Sequence, residues 1–148
     1  TWKVNDFVTT WNVSTKVTSN QPVVAERAMY GGNRTWAHDS VGVTDPAQTW
    51  YLAEGCTQGG METFILVQNP NDAPAQVTLT FMTSEGPKDG PSGTLAPNSR
   101  QTWKVNDFVT TWNVSTKVTS NQPVVAERAM YGGNRTWAHD SVGYCSEE

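Results

Sequence analysis

Residues 1–42 recur without a single change as residues 102–143, an offset of 101 positions, and this duplication constrains the fold more than any other feature. About 100 residues is the length of one small β-sandwich domain. The intervening segment therefore supplies the rest of one repeat unit. Residues 43–48 read as a connector, 49–143 as a complete unit and 1–42 as the C-terminal part of another, so the chain reads as a window on a tandem array. Residues 144–148 read as a tail or the start of a further connector.

A unit of about 100 residues can bury its own core, whereas about 40 residues is the size at which a chain needs a disulfide, a metal or a partner. Residues 1–42 are therefore expected to need completion. Within one chain they could replace residues 102–143, as in a circular permutant. That exchange asks six connector residues, reaching about 20 Å, to join the two ends of one sandwich, and termini at opposite poles disfavour it. Completion by a neighbouring chain is preferred, a head-to-tail contact through open strand edges that can grow into a filament. Alone, the chain is expected to aggregate or to swap.

Alternation of apolar and polar residues places the strands. Residues 62–68 (ETFILVQ) read as a central strand, and residues 76–83 put Val77, Leu79 and Phe81 on one face. Residues 84–93, with Gly86-Pro87 and Gly90-Pro91, read as a loop or short edge crossing, followed by a brief strand at Thr94-Leu95. Residues 100–106 alternate again and set Trp103 beside Val105. Residues 107–112 read as a helical turn with Asp107 as N-cap. Residues 114–119, 124–131 and 136–142 read as three antiparallel strands joined by tight turns at Asn121-Gln122-Pro123 and Gly132-Gly133-Asn134. Seven or eight short strands without a three-turn helix predict an all-β, antiparallel sandwich of the immunoglobulin or fibronectin-III kind.

The weak charge of the chain narrows its partners. Charged residues make up 16%, the net charge is −4 and the ten basic residues are scattered singly, which gives no electrostatic footprint for nucleic acid. No apolar run reaches the roughly 18–20 residues that span a bilayer, and any signal peptide or anchor is expected outside this window. Cys56 and Cys145 stand at non-equivalent positions without metal-ligand spacing; a bridge and two free thiols both remain open.

The residues that could carry chemistry each have a plainer reading. His139-Asp140-Ser141, duplicated as His38-Asp39-Ser40, holds the residue types of a hydrolase triad. Consecutive strand residues point to alternate faces, so His139 and Ser141 share one and Asp140 takes the other; no catalytic residue is assigned. Glu127-Arg128 lies in an apolar run and reads as a structural charge pair, with a ligand site as the sharper alternative. Glu54 and Glu62 flank a glycine loop but lack the ligand series of a cation site; no metal or cofactor is assigned. Four indoles per unit, Trp50, Trp103, Trp112 and Trp137, exceed what one core needs and could form a platform for sugar rings, although filling the core and the joints between units is preferred.

The motifs TWYLAEG at 49–55, ETFILVQNPN at 62–71, VSTKVTS at 114–120 and VVAERAMY at 124–131 together resemble a bacterial secreted repeat family. Its members stack units of about 100 residues behind signal peptides in large surface or exported proteins, and their function is uncharacterised. The resemblance implies an extracellular or cell-surface location and modularity, and it carries over no catalytic residues. The sequons at Asn12 and Asn33 and their copies are chance matches in such a setting. The expected function is a non-enzymatic stalk, spacer or filament unit whose partners are neighbouring repeats or further copies of itself. A glycan-binding adhesion module is the alternative.

Overall fold

The computed structural model describes residues 1–145; the end of the 144–148 segment therefore lies outside the described residues. Among the described residues nine strands follow in chain order: β1 (Glu26–Gly31), β2 (Trp36–Val41), β3 (Ala47–Leu52), β4 (Glu62–Asn69), β5 (Ala75–Thr83), β6 (Gly86–Leu95), β7 (Ser99–Lys104), β8 (Val114–Gly132) and β9 (Trp137–Val142). All pairings are antiparallel. One layer is β6-β5-β8-β3 and the other β7-β4-β8-β9, with β8 common to both. This is the antiparallel β-sandwich that the strand spacing predicts.

The period-2 pattern decides which side chains fill the space between the layers. Val77, Leu79 and Phe81 of β5 are buried, as are Val114, Thr116 and Val118 of β8 and Ile65 and Val67 of β4. Trp50 and Trp103 close the core, and Trp50 Nε1 donates to the carbonyls of Ala47 and Val124 at 3.1 and 2.8 Å, which satisfies the one polar atom of a buried indole. Asn69, fully buried at the end of β4, donates from Nδ2 to the carbonyls of Ala73, Leu95 and Ala96 and accepts at Oδ1 from the backbone of Asn71. It thereby fixes the turn into β5.

Three sequence expectations are corrected. Residues 114–132 form one strand of 19 residues, not two strands separated by a turn. The first half pairs with β5 as far as Ser120, the second with β4 from Val125, and Asn121-Gln122-Pro123 falls where β8 leaves one layer for the other. A proline there forfeits no ladder bond to either strand, so the strand bends at a sheet corner without ending. Residues 86–95 form a full edge strand rather than a loop, because an edge tolerates Pro87 and Pro91. Gly90 sits at a register shift opposite Leu79, where a Cβ would meet the Leu79 carbonyl oxygen at 2.7 Å. The helical turn after β7 is a 3-10 turn at Val105–Asp107, entered from Lys104 without a side-chain cap; Asp107 is its last residue and caps nothing.

The ends of the complete unit meet. Tyr51 near the end of β3 and Tyr144 just after β9 exchange backbone hydrogen bonds of 2.8 and 2.9 Å, so the expectation of termini at opposite poles is overturned. β3 and the segment after β9 share one side of the sandwich because each lies alongside β8's layers at the same corner. Residues 1–42 add no member to the central apolar cluster. Their hairpin, β1 and β2, is a separate two-stranded sheet, while residues 8–25 run outside without strand.

Candidate functional site

Strand alternation gives each copy of the duplicated hairpin two chemically opposite faces. In β8 and β9, Glu127, Ala129, Tyr131 and Asp140 lie outward, and Arg128, Met130, His139 and Ser141 lie on the inner side. In β1 and β2 the counterparts Arg27, Met29, His38 and Ser40 share one face. That cationic face of the first copy lies on the acidic outer face of the second. A candidate site made of both copies results.

Arg27 Nη2 donates to Glu127 Oε1 at 2.5 Å and also to Asp140 Oδ2, while His38 Nδ1 lies 2.7 Å from Asp140 Oδ1. The side chain of Asp140 is fully buried and that of His38 nearly so. An Nδ1–H directed at the Asp140 carboxylate explains the short contact and assigns the tautomer. The other ring nitrogen, Nε2, is buried with no partner among the described residues. Aromatic rings wall the cluster: Trp36 stacks on His38 at 5.8 Å, and Tyr131 stands edge-on to both and to Phe64. The rings exclude water and so strengthen the ion pairs.

Two carboxylates close together, one of them buried, cannot both ionise easily. Burial pushes Glu127 up, the neighbouring Asp140 pushes it further, and Arg27 only partly opposes them, leaving it at about 7. Burial also pushes Asp140 up, but hydrogen bonds from His38 and Glu127 and the charge of Arg27 outweigh it and hold Asp140 at about 2. The pair titrates as a unit: Asp140 keeps the charge and Glu127 carries the proton up to neutral pH. Chemically the cluster is a clasp. It can hold the two copies together and take up or release a proton as it does so.

The residues singled out in the sequence are dispersed. Glu127 and Arg128 do not pair with each other; neighbours on one strand, they face opposite ways. Arg128 is buried on the inner side, 3.4 Å from Glu54 and 2.7 Å from Met130 Sδ. It borders a cleft of about 330 Å³ with Tyr51, Ser141 and Tyr144. Glu62 is held by Arg135 at 2.7 Å and by Lys104 at 2.8 Å. The Arg135 hydrogen bond, opposed by burial and aided by Lys104, lowers Glu62 to about 2. His139 stacks on Trp137, 6.5 Å between centroids, and burial with the adjacent Arg128 lowers its pKa. Ser141 Oγ donates to the Val142 carbonyl, so His139, Asp140 and Ser141 do not converge.

Of the complete unit's four tryptophans, Trp50 and Trp103 are core residues, whereas Trp112 and Trp137 are 58% and 42% exposed. Trp112 covers Gly59 and Trp137 covers Gly132, each glycine leaving room that a Cβ would fill. Both cysteines are free thiols, Cys56 buried and Cys145 partly so. Arg27 and His38 of the first copy, the residues that complete the cluster, were not singled out as partners of the second. A signal existed, since a hairpin with acids on one face and bases on the other is complementary to a second copy of itself.

No protein-family model matches the chain, and no curated protein matches it. Among solved structures the chain is similar to one described as Thermotoga maritima 1070, with 19% identity and a TM-score of 0.62 over 70% of this chain and 98% of that one. It is also similar to the Anabaena sensory rhodopsin transducer, again at 19% identity, with a TM-score of 0.51 over 59% of this chain and 99% of that one. At that identity the likeness is one of fold, and it coincides with the all-β sandwich built above.

Proposed function

We propose that this chain is a non-enzymatic structural repeat that spaces, stiffens or links parts of a large secreted or surface protein, with neighbouring repeat segments as its partners. One observation carries the reading: the complete unit closes a core of its own, and the duplicated segment meets that unit outside this core, through the Arg27/His38 and Glu127/Asp140 clasp and through hydrogen bonds of Asn12, Ser14 and Lys16 to Arg100, Thr102 and Pro70. A modular array needs units that fold separately and cohere where they touch. Catalysis gains nothing evident from an identical copy placed next to the first.

The test is geometric. Chains with one, two and three complete units, measured by small-angle X-ray scattering, should lengthen by a constant increment per unit. A radius of gyration that grows only as a compact globule would sinks the spacer reading. The exposed indoles of Trp112 and Trp137 favour a second reading, adhesion to glycans. Affinity electrophoresis in polysaccharide gels, with a Trp112→Ala/Trp137→Ala variant as control, decides it: retardation that the variant abolishes supports adhesion, and none removes it.

A further inference from the structure

We propose that the framework of residues 47–101 accepts either copy of the duplicated segment, so that residues 1–42 can take the place of residues 102–143 in the core of the same chain. The framework holds β3, β4, β5, β6 and the first half of β7. Everything else in the sandwich, namely the second half of β7, the 3-10 turn, β8 and β9, exists twice in the sequence. Trp103, Val105, Val114, Val118 and Val124 are buried, while their identical counterparts Trp2, Val4, Val13, Val17 and Val23 are all exposed. Any contact that one copy makes with the framework is available to the other, because the side chains are the same.

The topology gives the second occupant a way in at both ends. The seam between residues 101 and 102 lies within β7, the last strand of its layer, which is paired with β4 alone. Thr1 can begin opposite Leu66 where Thr102 now stands, and the departing chain leaves from an open edge. At the far end, Gly143 sits against Trp50, Leu52 and Tyr51, with the Tyr51 to Tyr144 bridge beside it. With Gly42 in that place, the connector must return to Ala47. The antiparallel Tyr51–Tyr144 pairing sets that place opposite Leu52, so five strand steps back to Ala47 and one strand spacing across amount to about 17 Å, and the five steps from Gly42 to Ala47 reach about 17 Å. The connector suffices only when fully extended.

The filled cores of the two forms differ only at these junctions, where Val43 and Thr44 replace Tyr144 and Cys145. β8 is hydrogen-bonded to β3, β5, β4 and β9, so no copy can be withdrawn without dismantling both layers. The choice of occupant is therefore made during folding and persists until the chain unfolds. The proposal is independent of the spacer reading, which concerns length per unit.

The experiment uses the 148-residue chain with Val118→Asp, Val17→Asp and both together. An unpaired carboxylate at position 118 ruins the core if only residues 102–143 can fill it. Exchange predicts that Val118→Asp still melts cooperatively as a monomer, with hydrogen-exchange protection moved from residues 114–120 to residues 13–19. The substitution itself distinguishes the otherwise identical peptides by mass. Val17→Asp should behave as the parent, and the double variant should be unfolded. A Val118→Asp chain as unfolded as the double variant overturns the proposal, and so does one folded only as a dimer in sedimentation, since its core would then be filled from another molecule.

Discussion

The same 42 residues adopt two structures in one chain. Both copies form the 3-10 turn, at Val4–Asp6 and Val105–Asp107, and both form the hairpin around a Gly-Asn-Arg turn with positive φ at all three residues. They part in the stretch between. Residues 114–125 are strand, whereas residues 13–24 are not. Val118 is 0% exposed and Val17 57%; Trp103 is 7% exposed and Trp2 83%. The shared parts are those whose hydrogen bonds close within a few residues. The first half of β8 has partners only in β3 and β5, which the second copy reaches and the first does not. A lone strand without a ladder leaves its backbone to water, so identical residues stay unpaired.

The largest test of this contrast removes the common home of both copies. Trp50→Ala deletes a buried indole that neither copy can replace and should cost about 3–5 kcal/mol of unfolding free energy, whereas Trp11→Ala, at a residue 98% exposed, should stay within about 0.5 kcal/mol. Urea denaturation of the two variants measures both; equal effects would erase the distinction between core and attached segment. Next in size is the clasp. Asp140→Asn takes the buried charge from Arg27 and His38 and should weaken docking of the hairpin by about 2 kcal/mol, which appears as roughly 30-fold faster amide exchange in β1 and β2 with the melting of the main sandwich little changed. Loss of protection throughout the sandwich would show that the attached copy is part of the core.

The clasp should also respond to pH. Glu127 is raised from 4.5 to about 7 when the hairpin is docked. A raised acid contributes its full stabilisation below 4.5, and that contribution fades as pH rises through 7. Docking should therefore weaken between pH 4.5 and 8, by an amount on the order of 3 kcal/mol, read as hydrogen exchange in β1 corrected for intrinsic rates. Glu127→Gln should flatten the dependence; an unchanged slope would place the titrating group elsewhere. The smallest effect concerns the turn. Gly32 and Gly133 have φ of 56° and 58°, and alanine at either costs about 1 kcal/mol locally. Gly133→Ala should lower the melting of the sandwich, and Gly32→Ala should change only exchange in the attached hairpin.

Much of the sandwich was legible because it follows from period 2. The alternation at Val77, Leu79 and Phe81 and at Val114, Thr116 and Val118 names buried faces whatever their partners are. Pro123 and the prolines of β6 misled, since a missing N–H is costly only where a neighbour awaits it, and neighbours are a tertiary fact. The candidate site was half legible. Alternation separated His139 from Asp140 and so spoke against a triad. It could not reveal that Asp140 would meet His38 from 102 positions away, because that meeting depends on how one hairpin lies on another.

By itself the sequence determined that one unit is printed again in part, that its strands alternate, and that its hairpin turns need the left-handed backbone which glycine and asparagine accept. These are local or compositional properties, and they are the same in both copies. Tertiary structure alone decided which copy fills the core and which lies outside with its Arg27 and His38 over Glu127 and Asp140. Identical residues cannot encode that difference; it comes from which copy is paired with the framework strands β3, β4 and β5.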